Sequence, residues 1–275
     1  MSQPKRPPYA DAAHKIGPPD FSTVARRTFQ RFIDRRFGPD AVIFLGGSVQ
    51  RGDARFGSDV DAVVVLPKKP GQHRQRIKQV IEGVPIDLAV YNLEGLQTRL
   101  GREKRAASPW VMEIVGEGEV VTNPRSPTAR IARTMARRHL REGPPEFKQG
   151  QRRPALVEIS ELTESLAGST DTAEMRFLGA MLMPKLATFH LRDNDQWIGR
   201  NRGLLTRLKA FDPDYAEALD KAVYVDLGQK GDIRPLVELT KQTLAAAGGL
   251  ARDLPLDIDP DDPASPCPDQ DKPKI

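Results

Sequence analysis

Hydrophobic positions Phe21, Val24, Ala25, Phe29, Phe32 and Ile33 recur at helical spacing and predict a helix that ends near Arg36, before Gly38 and Pro39. Two uninterrupted apolar runs follow, residues 41–45 (AVIFL), stopped by Gly46-Gly47, and 62–66 (AVVVL), closed by Pro67. Short apolar runs bounded by turn residues suit buried strands. Residues 73–82 are mostly polar and predict a short helix. Val84–Tyr91 (VPIDLAVY) alternates as a strand does, and Val120-Val121 predicts a last, short one. Strands alternating with helices argue for a small α/β domain over residues 21–125.

The pattern then changes. Residues 123–127 contain two prolines and read as a connection into a basic helix over 128–141, with Ile131, Met135 and Leu140 on its apolar face. Gly143-Pro144-Pro145 breaks that helix, so 126–150 is read as a linker that carries it. Beyond it only helical periodicity is found, over 155–167, 172–192, 200–210, 213–223 and 233–247. Asp171 predicts an N-cap and Gly248-Gly249 a stop. Five helices with short connections predict an α-helical bundle over 151–250. The fold class is therefore α+β, a small mixed-sheet domain followed by a helical one. Residues 1–20, rich in proline, and 251–275, acidic and rich in proline, are expected to be disordered.

Composition narrows the functional classes. The chain has 275 residues, 39% of them from the set AVILMFWYC, enough to bury a sizeable core. The longest apolar run falls far short of the roughly 20 residues of a membrane span. Residues 1–20 carry prolines and charges where the apolar part of a secretory leader would be. One cysteine, Cys267, excludes an intramolecular disulfide framework and a cysteine-based zinc site, and a cytoplasmic location is expected. The net charge of +5 is unevenly spread. Residues 96–155 hold 13 basic and 6 acidic side chains, a balance of +7, whereas 252–275 hold 3 and 7, a balance of −4. A basic middle suits a polyanionic ligand. The arginine-rich helix carries no aromatic residue for stacking on bases, so it reads as a solvated face and nucleic acid is not an expected partner.

Residues 46–61 (GGSVQRGDARFGSDVD) carry the chemistry. Asp59 and Asp61 flank Val60 at the entrance of a strand, and strand geometry turns both carboxylates to one face. Such an oxygen-only set suits Mg²⁺, which is usually held by one or two carboxylates plus substrate phosphates. Asp87 lies within the apolar strand 84–91, where an unpaired carboxylate would be very costly. If that strand neighbours 62–66, Asp87 completes a three-carboxylate cluster. Gly46 and Gly47 free the backbone to approach a phosphate, Ser48 adds a hydroxyl, and Arg51 and Arg55 offer cations from the loop.

Gly47-Ser48, Asp59-Val60-Asp61 ten residues on, and a third aspartate in a following strand resemble the nucleotidyltransferase superfamily of DNA polymerase beta. The loop RGDARFGSDVD is similar to that of its minimal and antibiotic-modifying members. Downstream, GPPEF (143–147), DQWIGRNRGLLTRL (195–208), DPDYAEALDKA (212–222) and AAAGG (245–249) resemble the helical half of bacterial kanamycin-nucleotidyltransferase-like proteins. The resemblance implies transfer of a nucleoside monophosphate from an NTP, ATP foremost, to an acceptor hydroxyl, with pyrophosphate released. It implies two Mg²⁺ ions at Asp59, Asp61 and Asp87, and the triphosphate on Gly47 and Ser48. The implied acceptor is a small molecule of aminoglycoside type. Antitoxin-like AMP transfer to a protein side chain or a nucleic-acid end, and a non-catalytic nucleotide- or partner-binding module, are the alternatives. The antibiotic-modifying relatives use a carboxylate base near the acceptor. Helix 155–167 offers Glu158, Glu161 and Glu164 on one face, of which Glu158 and Glu161 are the candidates.

Overall fold

The computed structural model describes residues 21–67, 71 and 73–251. The expected disordered tails and Cys267 lie outside the described residues, Ala251 excepted. The first helix, α1 (Phe21–Arg36), has the predicted bounds and buries Phe21, Ala25, Phe29 and Ile33. After it come β1 (Val42–Leu45), α2 (Gly47–Arg51), β2 (Val60–Val65), β3 (Arg74–Ile81), β4 (Val84–Tyr91), α3 (Leu93–Arg105), α4 (Trp110–Glu117), β5 (Glu119–Thr122) and α5 (Pro127–Glu142).

The strands form a five-stranded mixed sheet in the order β3-β4-β2-β1-β5. β2 and β4 are parallel, and the other neighbouring pairs are antiparallel. The apolar runs do not alternate because helices cover both faces. Ile43, Leu45, Ala62, Val64, Ile86, Leu88 and Val90 share one core with α1. Val42, Phe44, Val63, Val65, Ala89 and Tyr91 share the other with α3, α4 and α5.

Residues 73–82 overturn the expected helix, since they form the edge strand β3. The hairpin to β4 turns on Glu82 (φ 49) and Gly83 (φ 80), two consecutive left-handed residues as a type I′ turn requires. On an edge strand only Ile77 is buried, so no apolar alternation marks it. The helices α3 and α4 also escaped the sequence pattern. Their junction is held by Glu103, whose buried carboxylate accepts the N–H groups of Val111 and Met112, each at 2.9 Å, at the unpaired start of α4. Burial pushes the Glu103 carboxyl up, while these two amides and Arg99 favour its charge.

The basic helix α5 is capped by Ser126, which accepts from the Ala129 N–H at 3.1 Å. Its fully buried stripe is Ala129, Ala132 and Ala136; of the expected face Met135 and Leu140 pack half-buried against the same core, and Ile131 is exposed. Small residues there let α5 lie close to α4. Arg133 and Arg137 donate to the carbonyls of Val115, Gly116 and Gly118 at the end of α4, so part of the arginine-rich face caps a neighbouring helix.

By contacts the chain divides into two compact units, residues up to 147 with 190–213, and 148–189 with 214 onward. The segment 190–213, counted with the bundle in the sequence, therefore belongs with the sheet. It carries the end of α7 (Thr172–Asp193) and α8 (Arg202–Phe211). Ile198 donates to the Ala107 carbonyl at 2.8 Å, Arg207 pairs with Glu113, and Trp197 packs against the sheet's core. The second unit holds α6 (Gln149–Gly168), most of α7 and of α9 (Pro213–Asp220), a π-helical stretch (Lys221–Leu227), α10 (Gly228–Lys230) and α11 (Arg234–Ala245). Asp171 caps α7 as expected, accepting from Ala173 at 2.7 Å and Glu174 at 3.0 Å. Among the described residues no helix is long and apolar enough to cross a membrane.

Candidate active site

The register of the sheet sets one row of residues across four strands. Asp61 of β2 lies directly opposite Asp87 of β4, and Asp87 lies opposite Lys78 of β3. On the other side the Gly46 N–H, just past β1, donates to the Asp61 carbonyl at 2.9 Å. Residues opposite one another point to the same face, so two carboxylates and a lysine share the face of Ala89 and Tyr91. Asp59 precedes β2 and is exposed, whereas Asp61 is half-buried. The expected neighbourhood of the three aspartates is thus real, but β3 adds cations to it.

Crowding explains both glycines. A Cβ at Gly46 would stand 2.6 Å from Cγ1 of Ile114 in α4, and one at Gly47 2.6 Å from Oδ2 of Asp61. Gly47 also has φ +67, which a side chain disfavours. The Asp61 carboxylate therefore rests against the bare backbone of the turn. Ser48, buried inside the short α2, offers its carbonyl to the Asp53 N–H at 3.0 Å, and Gly52 (φ 80) ends the helix. Arg51 is exposed and pairs with Asp53 at 3.4 Å. Arg55 is exposed too, and its N–H donates to Ser58 Oγ at 2.9 Å in the following turn.

The electrostatics are uneven. Burial first, then the charges of Asp59 and Asp87, push the Asp61 carboxyl from 3.8 up to about 6, against an opposing pull from Arg76 and Lys78. Asp87 goes the other way. Burial disfavours its charge, yet bonds from Arg76 and Lys78 outweigh that and hold its carboxyl below the ordinary range. Arg76 donates through Nε to Oδ1 at 2.8 Å and through its terminal nitrogen to Oδ2 at 2.7 Å, and Lys78 Nζ stands 3.1 Å from Oδ2. The guanidinium of Arg76 also lies 5.3 Å from the ring centre of Trp110. Sequence reasoning missed both cations because it read their strand as a helix. Glu82-Gly83 between two extended runs was the signal for the hairpin.

Asp59 and Asp61 keep the hard oxygen donors that a divalent cation takes. The expected centre of two Mg²⁺ ions on three carboxylates does not fit the residues as placed. Among the described residues no group of three or more His, Cys, Asp or Glu is arranged to hold a metal ion. Asp87, the third of the expected carboxylates, is already paired with Arg76 and Lys78. The remaining candidates, Glu158 and Glu161, are exposed on α6 in the second unit. Glu158 is paired there with Lys185.

Residues 26–107 match the family model of the nucleotidyltransferase domain, which spans α1 through α3 and includes Gly47, Ser48, Asp59, Asp61 and Asp87. No curated protein matches the chain. Among solved structures, it is similar to a nucleotidyltransferase-like protein from Exiguobacterium sibiricum 255-15, with 12% identity, 82% of this chain and 74% of that one covered, and a TM-score of 0.38. A likeness that loose supports no parallel between sites. Neither match points to the kanamycin type.

Proposed function

We propose that the protein moves a nucleoside monophosphate from a nucleoside triphosphate, ATP by the resemblance, to an acceptor hydroxyl and releases pyrophosphate. The supporting observation is the close approach of the glycine turn to Asp61, inside the segment that matches the nucleotidyltransferase domain. Gly47 has no room for a methyl group beside Asp61. In this reading the triphosphate lies along Gly46, Gly47 and Ser48, with Arg51 and Arg55 meeting its outer oxygens. It arrives as a magnesium complex, so that ion is part of the substrate, and Asp59 and Asp61 hold the complex in place.

The acceptor oxygen forms a bond to the α-phosphorus while the bond from that phosphorus to the bridging oxygen breaks, and pyrophosphate leaves with the electron pair. Positioning and charge supply most of the rate in such a reaction. For the acceptor's proton, Glu158 and Glu161 are proposed on the resemblance alone. A small cationic acceptor of aminoglycoside type is proposed on the same basis, and a cytoplasmic location on the single cysteine.

The test is calorimetric binding of a non-hydrolysable ATP analogue, with and without Mg²⁺, to the wild type and to Asp59→Asn/Asp61→Asn. Magnesium-dependent binding that the double variant loses supports the reading. Pyrophosphate release across small-molecule, protein and nucleic-acid acceptors then sorts the substrate class. Failure of the wild type to bind ATP, GTP, CTP or UTP analogues overturns it.

A further inference from the structure

We infer that Asp87 is not a metal ligand, because Arg76 and Lys78 hold its carboxylate as a built-in counter-ion pair and supply the positive charge that a second divalent cation would bring. The inference rests on the nucleotidyltransferase reading for its context, but its evidence is the sheet register. Lys78 stands directly opposite Asp87, and Arg76 stands opposite Ala89, two residues along the same face. Side chains opposite one another in an antiparallel pair have Cβ atoms about 4.5–5.5 Å apart. The pairing is therefore a property of the strand order rather than of one side-chain rotamer.

The contacts leave Asp87 little capacity for another cation. A carboxylate has about four lone-pair sites. Arg76 takes both oxygens in a two-bond fork, and Lys78 takes a third site on Oδ2. The Asp87 side chain is only 7% exposed, while those of Arg76 and Lys78 are 53% and 62% exposed. The anion is inside and its partners cover it from the solvent side. Trp110 of α4 steadies the guanidinium from a second element. A divalent ion at Asp87 would have to share the one remaining lone-pair site with two cations beside it, which repel it. Asp59 and Asp61 have no such cover. Arg76 and Lys78 are thus positioning residues, acting through Asp87 to confine an incoming cation to the Gly47 side of the row.

Mn²⁺ binding, counted from the paramagnetic signal of the free ion without nucleotide, tests this on the full chain. Asp87→Asn is expected to leave the Mn²⁺ affinity within about twofold of wild type. Arg76→Gln/Lys78→Gln, which uncovers Asp87, is expected to gain at least about tenfold in affinity or a second ion per chain. Lys78→Gln alone keeps the two bonds from Arg76 and secures the result if the double variant folds poorly, with a smaller gain in the same direction. A loss of about tenfold or more in Asp87→Asn, or no gain in either uncovered variant, overturns the inference. Calorimetry with the ATP analogue on the same samples separates the two readings. If wild type binds no nucleotide while the Mn²⁺ pattern holds, the proposed function fails and the assignment of Asp87 stands.

Discussion

Replacing Asp61 by asparagine should make the first unit more stable above pH 6, and by an amount the structure bounds. The Asp61 carboxyl rises from 3.8 to about 6 on folding, first through burial and then through Asp59 and Asp87. The folded state therefore binds the proton more tightly than the unfolded state. A raised carboxyl adds nothing unfavourable below about pH 4, where it is protonated in both states, and weakens the fold as pH climbs through about 6. At 1.36 kcal/mol per unit, a shift of about two units is worth about 3 kcal/mol. Relaxation and water at the half-buried site lower the expected gain in Asp61→Asn to about 1–3 kcal/mol. Both tryptophans, Trp110 and Trp197, belong to the first unit, so urea unfolding followed by their fluorescence reads the unit that holds Asp61. The measurement is made in EDTA at intervals from pH 4 to 8. The difference in unfolding free energy between variant and wild type should be small at pH 4 and reach its plateau above pH 6. A difference that stays flat with pH, or a variant weaker than wild type at pH 7.5, refutes the account.

Three further outcomes follow from particular contacts. Gly47→Ala places a Cβ against Asp61 Oδ2 and forces alanine into a left-handed conformation worth about 1–2 kcal/mol, so urea unfolding should show a loss of about 2–3 kcal/mol and calorimetry a weaker grip on the ATP analogue. Glu103→Ala strands the buried N–H groups of Val111 and Met112, at about 1–3 kcal/mol each, and should lower stability by about 2–4 kcal/mol in the tryptophan-detected transition. Asp171→Ala removes the cap of α7 and should loosen its first turn, seen as faster amide exchange at Ala173 and Glu174.

What could be read from the sequence depended on whether a residue's surroundings were local. β1, β2 and β4 were legible because strands covered on both faces leave unbroken apolar runs. The Gly47-Ser48 turn and Asp59-Val60-Asp61 were legible because turn and strand chemistry act within a few residues. β3 was not, because an edge strand with one buried residue leaves no period-two trace, and its polar run imitates a helix. With residues 73–82 in a helix, Arg76 and Lys78 had no strand to face, and their pairing with Asp87 stayed out of view. In α5 the expected Met135 and Leu140 pack half-buried against the core, whereas Ile131 is exposed and close packing on α4 buries Ala129, Ala132 and Ala136. The glycines were read as room for a ligand. In the fold each also abuts a side chain from elsewhere in the sequence, Ile114 at Gly46 and Asp61 at Gly47.

The order of the sheet carries the final step. Along the row from β3 to β1 the side chains run lysine, aspartate, aspartate, and then a glycine with none. Two adjacent carboxylates on neighbouring strands repel, and the fold answers at one end only. Lys78 and Arg76 neutralise Asp87, while the other end offers Asp61 bare backbone and the negative charge of Asp59. The less compensated charge therefore lies beside the Gly46–Ser48 turn, where burial first and the charges of Asp59 and Asp87 second raise the Asp61 carboxyl. A ligand carrying both a cation and a chain of phosphates answers both ends of that asymmetry, with its cation toward Asp59 and Asp61 and its phosphates toward the turn. A bare polyanion does not, because it would meet the two aspartates without a counter-ion. If the proposed function holds, strand order and register would favour the magnesium complex of a nucleotide over the free nucleotide.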